Sequence, residues 1–181
     1  MTLSPNFRKF VRTAHITFTV GWLGSVAGFL ALAIAGLTSE DTQIINAAYV
    51  GMELVTRFVI VPLSIAPLIT GPLLSLGTPW GLFRHYWILV KLVVTILSTL
   101  ILLVHIQPIS YLSDAALEGT LSSDDYGLQL QMVVASTAAL IALLVANFLA
   151  VYKPKGMTPY GWRKQSEERT QSHPQQRNRS A

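Results

Sequence analysis

The chain has 181 residues, of which 51% are hydrophobic and only 12% are charged, about half the roughly 25% charged residues of soluble domains. Thirteen basic against nine acidic residues give a net charge of +4, and cysteine is absent. The missing cysteine excludes disulfides, thiolate metal sites, iron–sulfur clusters and cysteine nucleophiles. The basic excess lies beside long apolar runs, which indicates contact with a lipid bilayer and no nucleic-acid partner.

Four apolar runs are long enough to cross a membrane, since a helical span needs roughly 20 residues. They predict transmembrane helices over residues 13–37, 48–76, 86–107 and 128–152. We therefore predict an all-α, polytopic membrane protein, a four-helix bundle. The first run lacks a clear cleavage site and is interpreted as a retained span. The polar segment over residues 107–127 is predicted to be the longest loop.

The distribution of lysine and arginine between the connecting segments predicts the orientation of the chain. The N-terminal segment, residues 1–12, holds three cations, the second loop holds Arg84, and the tail, residues 153–181, holds seven. The first and third loops hold no cation and carry six acidic residues. Both termini are therefore predicted to be cytoplasmic, in the bacterial cytoplasmic membrane. The composition of the tail predicts that it is largely disordered.

The first predicted span carries a stripe of small residues, which predicts close contact with a neighbouring helix. The stripe comprises Gly21, Gly24, Gly28, Ala31 and Ala35. His15 lies roughly opposite this stripe, on the face of Trp22. It is therefore predicted to face another helix, a cofactor or the lipid headgroups.

Each of the other three spans carries one polar stripe at helical spacing, which predicts a bundle around a shared polar interior. The stripes comprise Glu53, Arg57, Ser64 and Gly71 in the second span, Lys91, Thr95, Ser98 and His105 in the third, and Gln129, Ser136 and Asn147 in the fourth. Serine and threonine often bond only to their own helix. The interpretation therefore depends on Glu53, Arg57 and Lys91, because a charge in hydrocarbon costs at least about 2.5 kcal/mol.

Depth decides which of these side chains can meet. The first and third spans both start at the predicted cytoplasmic side, so His15 and Lys91 lie in the same half of the membrane, with His85 at the interface. His105 follows Lys91 by fourteen residues, about 21 Å along the helix. His15 and His105 are therefore too far apart to bind one iron, while His15 with Lys91, or His15 with His85, remains open.

The second span descends from the outside, so Glu53 and Arg57 are predicted to share the outer half with His105. These residues also have simpler interpretations. Glu53 and Arg57 are one helical turn apart and can neutralise each other. His105 can cap its helix, and Lys91, about two turns into its span, can extend its amine to water.

The chain resembles a group of small bacterial membrane proteins in three stretches, "HITFTVGWLGSVAGFLALA", "RFVIVPLSIAPLITG" and "HYWILVKLVVTILSTLILLVH". The shared order is a histidine before W-x-G, then arginine, proline and glycine, then W-x-x-x-K and a terminal histidine. The chain is most similar to an uncharacterised integral membrane family, also in "VYKPKGMTPYG". It resembles the copper-resistance D (CopD)-type domain and, more distantly, the HemJ-type protoporphyrinogen oxidases. The resemblance covers about residues 13–107.

The resemblance to the HemJ type implies haem b, associated with a histidine of the first span and a lysine of the third. The matching positions are His15, as an axial ligand of the metal, and Lys91, as the second ligand or a counter-charge to a propionate. The resemblance also implies Arg57 and His105 as polar positions of the cofactor site. The chain departs from the HemJ type in its charged N-terminus and its long acidic third loop. The resemblance therefore implies haem binding by this chain but not porphyrinogen oxidation.

The leading hypothesis is therefore a haem-associated redox membrane protein, with a homo-oligomer or a membrane redox partner left open. One alternative is copper or solute permeation of the CopD type. Copper(I) favours cysteine and methionine ligands, and only Met52 and Met132 lie in or near the spans. The other alternative is an accessory membrane subunit whose polar stripes only hold the bundle together. The sequence contains no phosphate loop or HExxH motif.

Overall fold

The computed structural model describes residues 4–77, 81–154 and 156–177, and only the backbone of residues 171–177. Regular structure in these ranges is helical, apart from one isolated β-bridge. The helices are α1 (Pro5–Thr38), α2 (Thr42–Val55), α3 (Val61–Leu76), α4 (Tyr86–Glu118), α5 (Tyr126–Tyr152) and α6 (Pro159–Arg177). A π-helix, Thr56–Ile60, joins α2 to α3 without a break, and a 3-10 turn, Ser123–Asp125, leads into α5.

Four helical segments are long and apolar enough to cross a membrane: Pro5–Thr38, Thr42–Leu76, Tyr86–Glu118 and Ser123–Tyr152. The 33 residues of α4 measure about 50 Å at 1.5 Å per residue, against a hydrocarbon core of about 30 Å. The helices are thus longer than a bilayer core. The predicted all-α, four-helix membrane bundle is confirmed, while the orientation of its termini stays a prediction.

Two helices begin before the predicted spans because local caps extend them. Helix α1 starts at Pro5, where the Ser4 hydroxyl accepts a hydrogen bond from the third residue of the helix and proline occupies the first position. Helix α2 starts at Thr42 rather than at residue 48, because the Asp41 carboxylate accepts a hydrogen bond from a first-turn N–H at 2.8 Å. Caps of this kind are independent of the apolar pattern that defines a span.

The predicted loop over residues 107–127 is wrong in its first half, because α4 continues to Glu118. Ile109 and Leu112 are 3% and 0% exposed, so the end of the helix still packs against the bundle. Helix α4 ends at Gly119, which has the left-handed φ of 67° typical of a helix C-terminus.

The tail contains α6, although the sequence predicted that it is largely disordered. The Thr158 hydroxyl accepts a hydrogen bond from Gly161 N at 3.0 Å, which caps the helix start. The segment is rich in glutamate, glutamine, lysine and arginine, which favour helices. Residues 178–181 lie outside the described ranges.

The core runs along α1, which packs against α2, α3 and α5, while α4 packs against the same three helices. Trp22, Val26 and Phe29, at 3%, 5% and 7% exposure, form the buried face of α1. This is the face on which the sequence placed His15. The inner side of α1 therefore points into the bundle.

The stripe of small residues does not make the predicted helix contact at its centre. Gly24 and Gly28 are exposed, and a Cβ built on either would meet nothing within 4 Å. The close contact lies at Gly36 instead, where a Cβ would lie 2.8 Å from Cζ of the buried Tyr49. Gly36 therefore allows α1 and α2 to approach each other.

Candidate functional site

His15 is held in one orientation by a hydroxyl of α3. Its Nδ1 lies 2.8 Å from Thr70 Oγ1, and that hydroxyl donates its own proton to the Ala66 carbonyl at 2.8 Å. With the single hydroxyl proton directed to that carbonyl, the Thr70 oxygen accepts from His15 in this arrangement, and Nδ1 carries the hydrogen. In the neutral imidazole, Nε2 therefore keeps its lone pair.

His15 and Lys91 line the same small cavity, and we call these two residues the inner pair. The cavity has a volume of about 20 Å³, enough for roughly one water molecule. Four helices contribute to its walls. The lining residues are His15, Thr19, Trp22, Pro67, Lys91, Thr95, Leu143, Ala146 and Asn147.

The neighbouring polar groups are occupied by their own helices. The hydroxyls of Thr19 and Thr95 and the amide N–H of Asn147 donate to backbone carbonyls at 3.0, 2.8 and 2.9 Å. Over the part of the chain that the structure describes, no carboxylate forms an ion pair with Lys91 and no side chain accepts a hydrogen bond from it. The inner pair thus consists of two basic groups without an acidic partner.

Glu53, Arg57 and Ser110 form a closed hydrogen-bonded group, which we call the outer triad. Arg57 Nε donates to Glu53 Oε1 at 2.8 Å, and its Nη2 donates to Ser110 Oγ at 2.9 Å. Ser110 Oγ donates in turn to Glu53 Oε1 at 3.0 Å. The π-helix Thr56–Ile60 includes Arg57. The two charges neutralise each other, as the simpler interpretation of the sequence proposed.

The outer triad and the inner pair are separated along the bundle by about the thickness of a hydrocarbon core. Lys91 and Ser110 are 19 residues apart on α4 (110 − 91), which is about 28 Å at 1.5 Å per residue. The hydrocarbon core is about 30 Å thick. Neither charged group therefore needs to lie at the bilayer centre, where the cost of charge is highest.

His105 belongs to neither group. Its Nδ1 lies 2.8 Å from the Ile101 carbonyl, which can only accept, so Nδ1 carries the hydrogen. Its Nε2 lies 3.4 Å from Gln131 Nε2, an amide donor. Both ring nitrogens of His105 are therefore engaged, unlike those of His15.

A larger cavity of about 370 Å³ lies between α1, α4 and α5. Its walls are mainly apolar. Seventeen residues line it, among them Trp22, Val26, Phe29, Ser98, His105 and Met132. Trp22 also lines the cavity of the inner pair. Trp22 is therefore a wall residue of both the water-sized cavity and the ligand-sized apolar cavity.

The polar stripes do not form a single shared interior. The buried hydroxyls of Ser64 and Ser136 donate to carbonyls of their own helices at 2.8 and 2.7 Å. Polar side chains that bond across helices lie toward the two ends of the bundle. Sequence periodicity identified the faces of the helices but not this separation along them.

His85 precedes the first residue of α4 and does not line the cavity of the inner pair. It forms an antiparallel β-bridge with Met157 of the tail, and its ring lies 6.5 Å from the Trp87 ring. Of the two pairings that the sequence left open, only His15 with Lys91 therefore shares a cavity.

Thr70 and Ser110 are site residues that the sequence analysis missed. Thr70 is next to Gly71, which had been assigned to the polar stripe, and a Cβ built on Gly71 would lie 3.4 Å from His15 Cε1. Depth along the second predicted span could have identified Thr70, because it places this residue in the same half of the membrane as His15. Ser110 lay inside the predicted loop and gave no signal.

The described residues include no group of three or more histidine, aspartate or glutamate side chains that could hold a metal ion. Comparisons with models of protein families, with curated proteins and with solved structures give no match. The resemblance to the CopD and HemJ types therefore stays a prediction. The geometry of the inner pair is the basis for the functional interpretation.

Proposed function

We propose that this integral membrane protein binds haem b, or a closely related tetrapyrrole, at the inner pair. The observation that carries the proposal is the orientation of His15. Its Nδ1–H is donated to Thr70, which leaves the lone pair on Nε2, and the residue shares its cavity with Lys91. Histidines that bind metals commonly donate their other N–H in this way, which fixes the ring and raises its basicity as a ligand.

Lys91 supplies the second feature that supports the proposal. Lys91 lines the same cavity as His15 and lacks an acidic partner among the described residues. A haem carries two propionates, and an uncompensated cation in a membrane is stabilised by an anionic ligand. Lys91 can therefore serve as a counter-charge or, when deprotonated, as a second donor.

The donors fit haem, but the space beside His15 does not. The cavity of about 20 Å³ is far below the roughly 300–1,000 Å³ of ligand pockets. A volume in that range, about 370 Å³, belongs to the larger cavity, which Trp22 also lines. A tetrapyrrole bound through His15 therefore requires the Trp22 side chain to leave its position in this structure.

The roles of the protein groups follow from these contacts. Thr70 orients the His15 ring, Lys91 places positive charge beside it, and the apolar walls of the larger cavity exclude water. Haem, when bound, supplies one-electron chemistry. Copper permeation finds less support, since Met52 and Met132 are buried in the core and neither lines the cavity of the inner pair.

The visible spectrum of the purified full-length protein after haem supplementation tests the proposal. We expect a Soret band, lost or strongly reduced in His15→Ala and retained in His105→Ala. His105 is the comparison because its side chain lines the larger cavity but both of its ring nitrogens are already engaged. Absence of the band in the unmodified protein, or equal loss in the two variants, would overturn the proposal.

Trp22 gives a second readout. If the indole blocks the space that haem needs, Trp22→Ala should bind haem at least as tightly as the unmodified chain. Phe29→Ala is the control, because Phe29 lines only the larger cavity. Loss of binding in Trp22→Ala with retention in Phe29→Ala would show that the indole supports the ligand rather than blocking it.

A further inference from the structure

Residues 156–162, which we call the strap, are bound to the backbone just before α4. Tyr86 N donates to the Gly156 carbonyl at 3.3 Å, and Thr158 N donates to the Arg84 carbonyl at 3.0 Å. Between these bonds, His85 and Met157 form the antiparallel bridge. The strap is thus joined to the α3–α4 connection by backbone pairing, which depends little on side-chain identity.

Thr158 adds two side-chain hydrogen bonds to this pairing. Its hydroxyl donates to the Phe83 carbonyl at 2.5 Å and accepts from Gly161 N at 3.0 Å. Thr158 is 6% exposed. One buried hydroxyl therefore ties the strap to the α3–α4 connection and starts α6.

Gly161 allows the closest approach between the strap and this connection. A Cβ built on Gly161 would lie 2.5 Å from the Arg84 carbonyl oxygen and 3.2 Å from its carbonyl carbon. These are backbone atoms, which cannot rotate away as a side chain can. Arg84 also forms an ion pair with Glu168 of α6. Glycine is therefore required at position 161 for this packing.

The strap lies at the ends of the two helices that carry Lys91 and Asn147. Helix α4 begins at Tyr86, five residues before Lys91, and α5 ends at Tyr152, five residues after Asn147. Both side chains line the cavity of the inner pair. The strap connects the end of α5 to the start of α4 on this side of the bundle.

We propose that the strap positions Lys91. It fixes the first turns of α4 against the end of α5, with Thr158 and Gly161 as positioning residues, and so keeps the Lys91 amine in the cavity with His15. When the strap detaches, the start of α4 loosens and the amine becomes accessible to water. This inference does not depend on which ligand the inner pair binds.

The absence of cysteine allows a direct test of the strap in the full-length chain. Residues paired across antiparallel strands have Cα atoms about 4.5–5.5 Å apart, within the range that a disulfide spans. We expect His85→Cys combined with Met157→Cys to form a disulfide upon mild oxidation. His85→Cys combined with Ser166→Cys, on the exposed part of α6, is the control and should crosslink more slowly.

The accessibility of the Lys91 amine is then measured as its rate of labelling with an amine reagent. Labelling is detected by mass spectrometry, with the exposed Lys164 as internal reference. Thr158→Val and Gly161→Ala should each raise the Lys91 rate about tenfold, as expected when the attached strap loses one hydrogen bond or gains a clash with the Arg84 backbone. Thr158→Ser, which keeps the hydroxyl, should stay near the original rate. Thr170→Val and Gly127→Ala are matched controls, because Thr170 bonds only to its own helix and Gly127 has open space around it.

The crosslinked protein removes any dependence on folding of the substituted chains. Labelling of Lys91 should be slower in the oxidised than in the reduced form of the same molecule. If the disulfide does not form, the strap is not attached as described. If it forms, but Lys91 labels equally in both forms and in both strap variants, the strap does not position Lys91.

Discussion

The inner pair and the outer triad, which lie toward opposite ends of the bundle, accommodate charge in opposite ways. In the outer triad, Glu53, Arg57 and Ser110 satisfy one another through three hydrogen bonds of 2.8–3.0 Å. In the inner pair, His15 and Lys91 are both basic and share a cavity without an acidic partner among the described residues.

The comparison distinguishes charges that stabilise the fold, as in the outer triad, from a charge that is available to a ligand, as in the inner pair. A charge that is paired and hydrogen-bonded within the chain contributes to holding helices together. A charge without a partner in low dielectric destabilises the chain that carries it. Such a residue is the expected sign of a ligand-binding site, where the missing partner comes from outside the chain.

The largest expected effect is an all-or-none difference in labelling, which identifies the side of the membrane that each group occupies. Cysteines introduced at Ser39 and Ser122 should react with an impermeant thiol reagent added to intact cells, because the basic segments are predicted to be cytoplasmic. A cysteine at Ser166 should react only after the membrane is opened. The reverse pattern would place the inner pair on the outside.

Removing one charge should affect the two groups differently. Arg57→Gln leaves the Glu53 carboxylate without its cation and should lower the free energy of unfolding by about 2 kcal/mol. This is less than the roughly 3–5 kcal/mol of a fully buried pair, because the Arg57 side chain is 52% exposed. Lys91→Gln removes an unpaired charge and should change stability by less than about 0.5 kcal/mol or increase it. Both are measured by thermal unfolding in one detergent, and equal losses would remove the distinction.

A smaller effect tests the pairing itself. In a double-mutant cycle of Glu53→Gln and Arg57→Gln, the double variant should lose about 1 kcal/mol less than the sum of the single variants. Additive losses would mean that the hydrogen bonds seen between the two side chains contribute nothing to stability. The pair His15→Gln and Glu53→Gln, from opposite ends of the bundle, should be additive and serves as the control.

Truncation after Arg163 should have the smallest effect. It keeps the strap and removes Glu168, the ion-pair partner of Arg84, whose side chain is 54% exposed. An exposed ion pair contributes at most about 1 kcal/mol. Membrane insertion should be unchanged in a fractionation experiment. Truncation after Tyr152, which removes the strap, is the comparison and should raise the labelling of Lys91.

The apolar pattern predicted the four spans because burial in lipid is decided by the local sequence. It could not predict where the helices end. Asp41 caps α2 and Gly119 ends α4 through local geometry outside the hydrocarbon core. The buried Ile109 and Leu112 carry α4 through the segment predicted to be a loop.

Depth along the helices placed His15 and Lys91 in the same half of the membrane, because the rise per residue is fixed and both helices are predicted to start on the same side, but it left open whether His15 meets Lys91 or His85. Partners that depend on the rotation of neighbouring helices were not predictable. The bonds of His15 to Thr70 and of His105 to Gln131 arise from that rotation. The two cavities that Trp22 lines depend on the packing of several helices, which periodicity alone does not determine.

The visible spectrum of haem-loaded Lys91→Arg tests most directly whether the inner pair is kept for a ligand. Arginine keeps the charge and can reach water as lysine does, but its guanidinium stays protonated, has no lone pair for a metal and differs in shape. We expect Lys91→Arg to reduce bound haem or to shift its Soret band, with unfolding temperature nearly unchanged. A haem-loaded Lys91→Arg protein with the spectrum and haem content of the unmodified chain would contradict the account, since Lys91 would then only extend its charge to water.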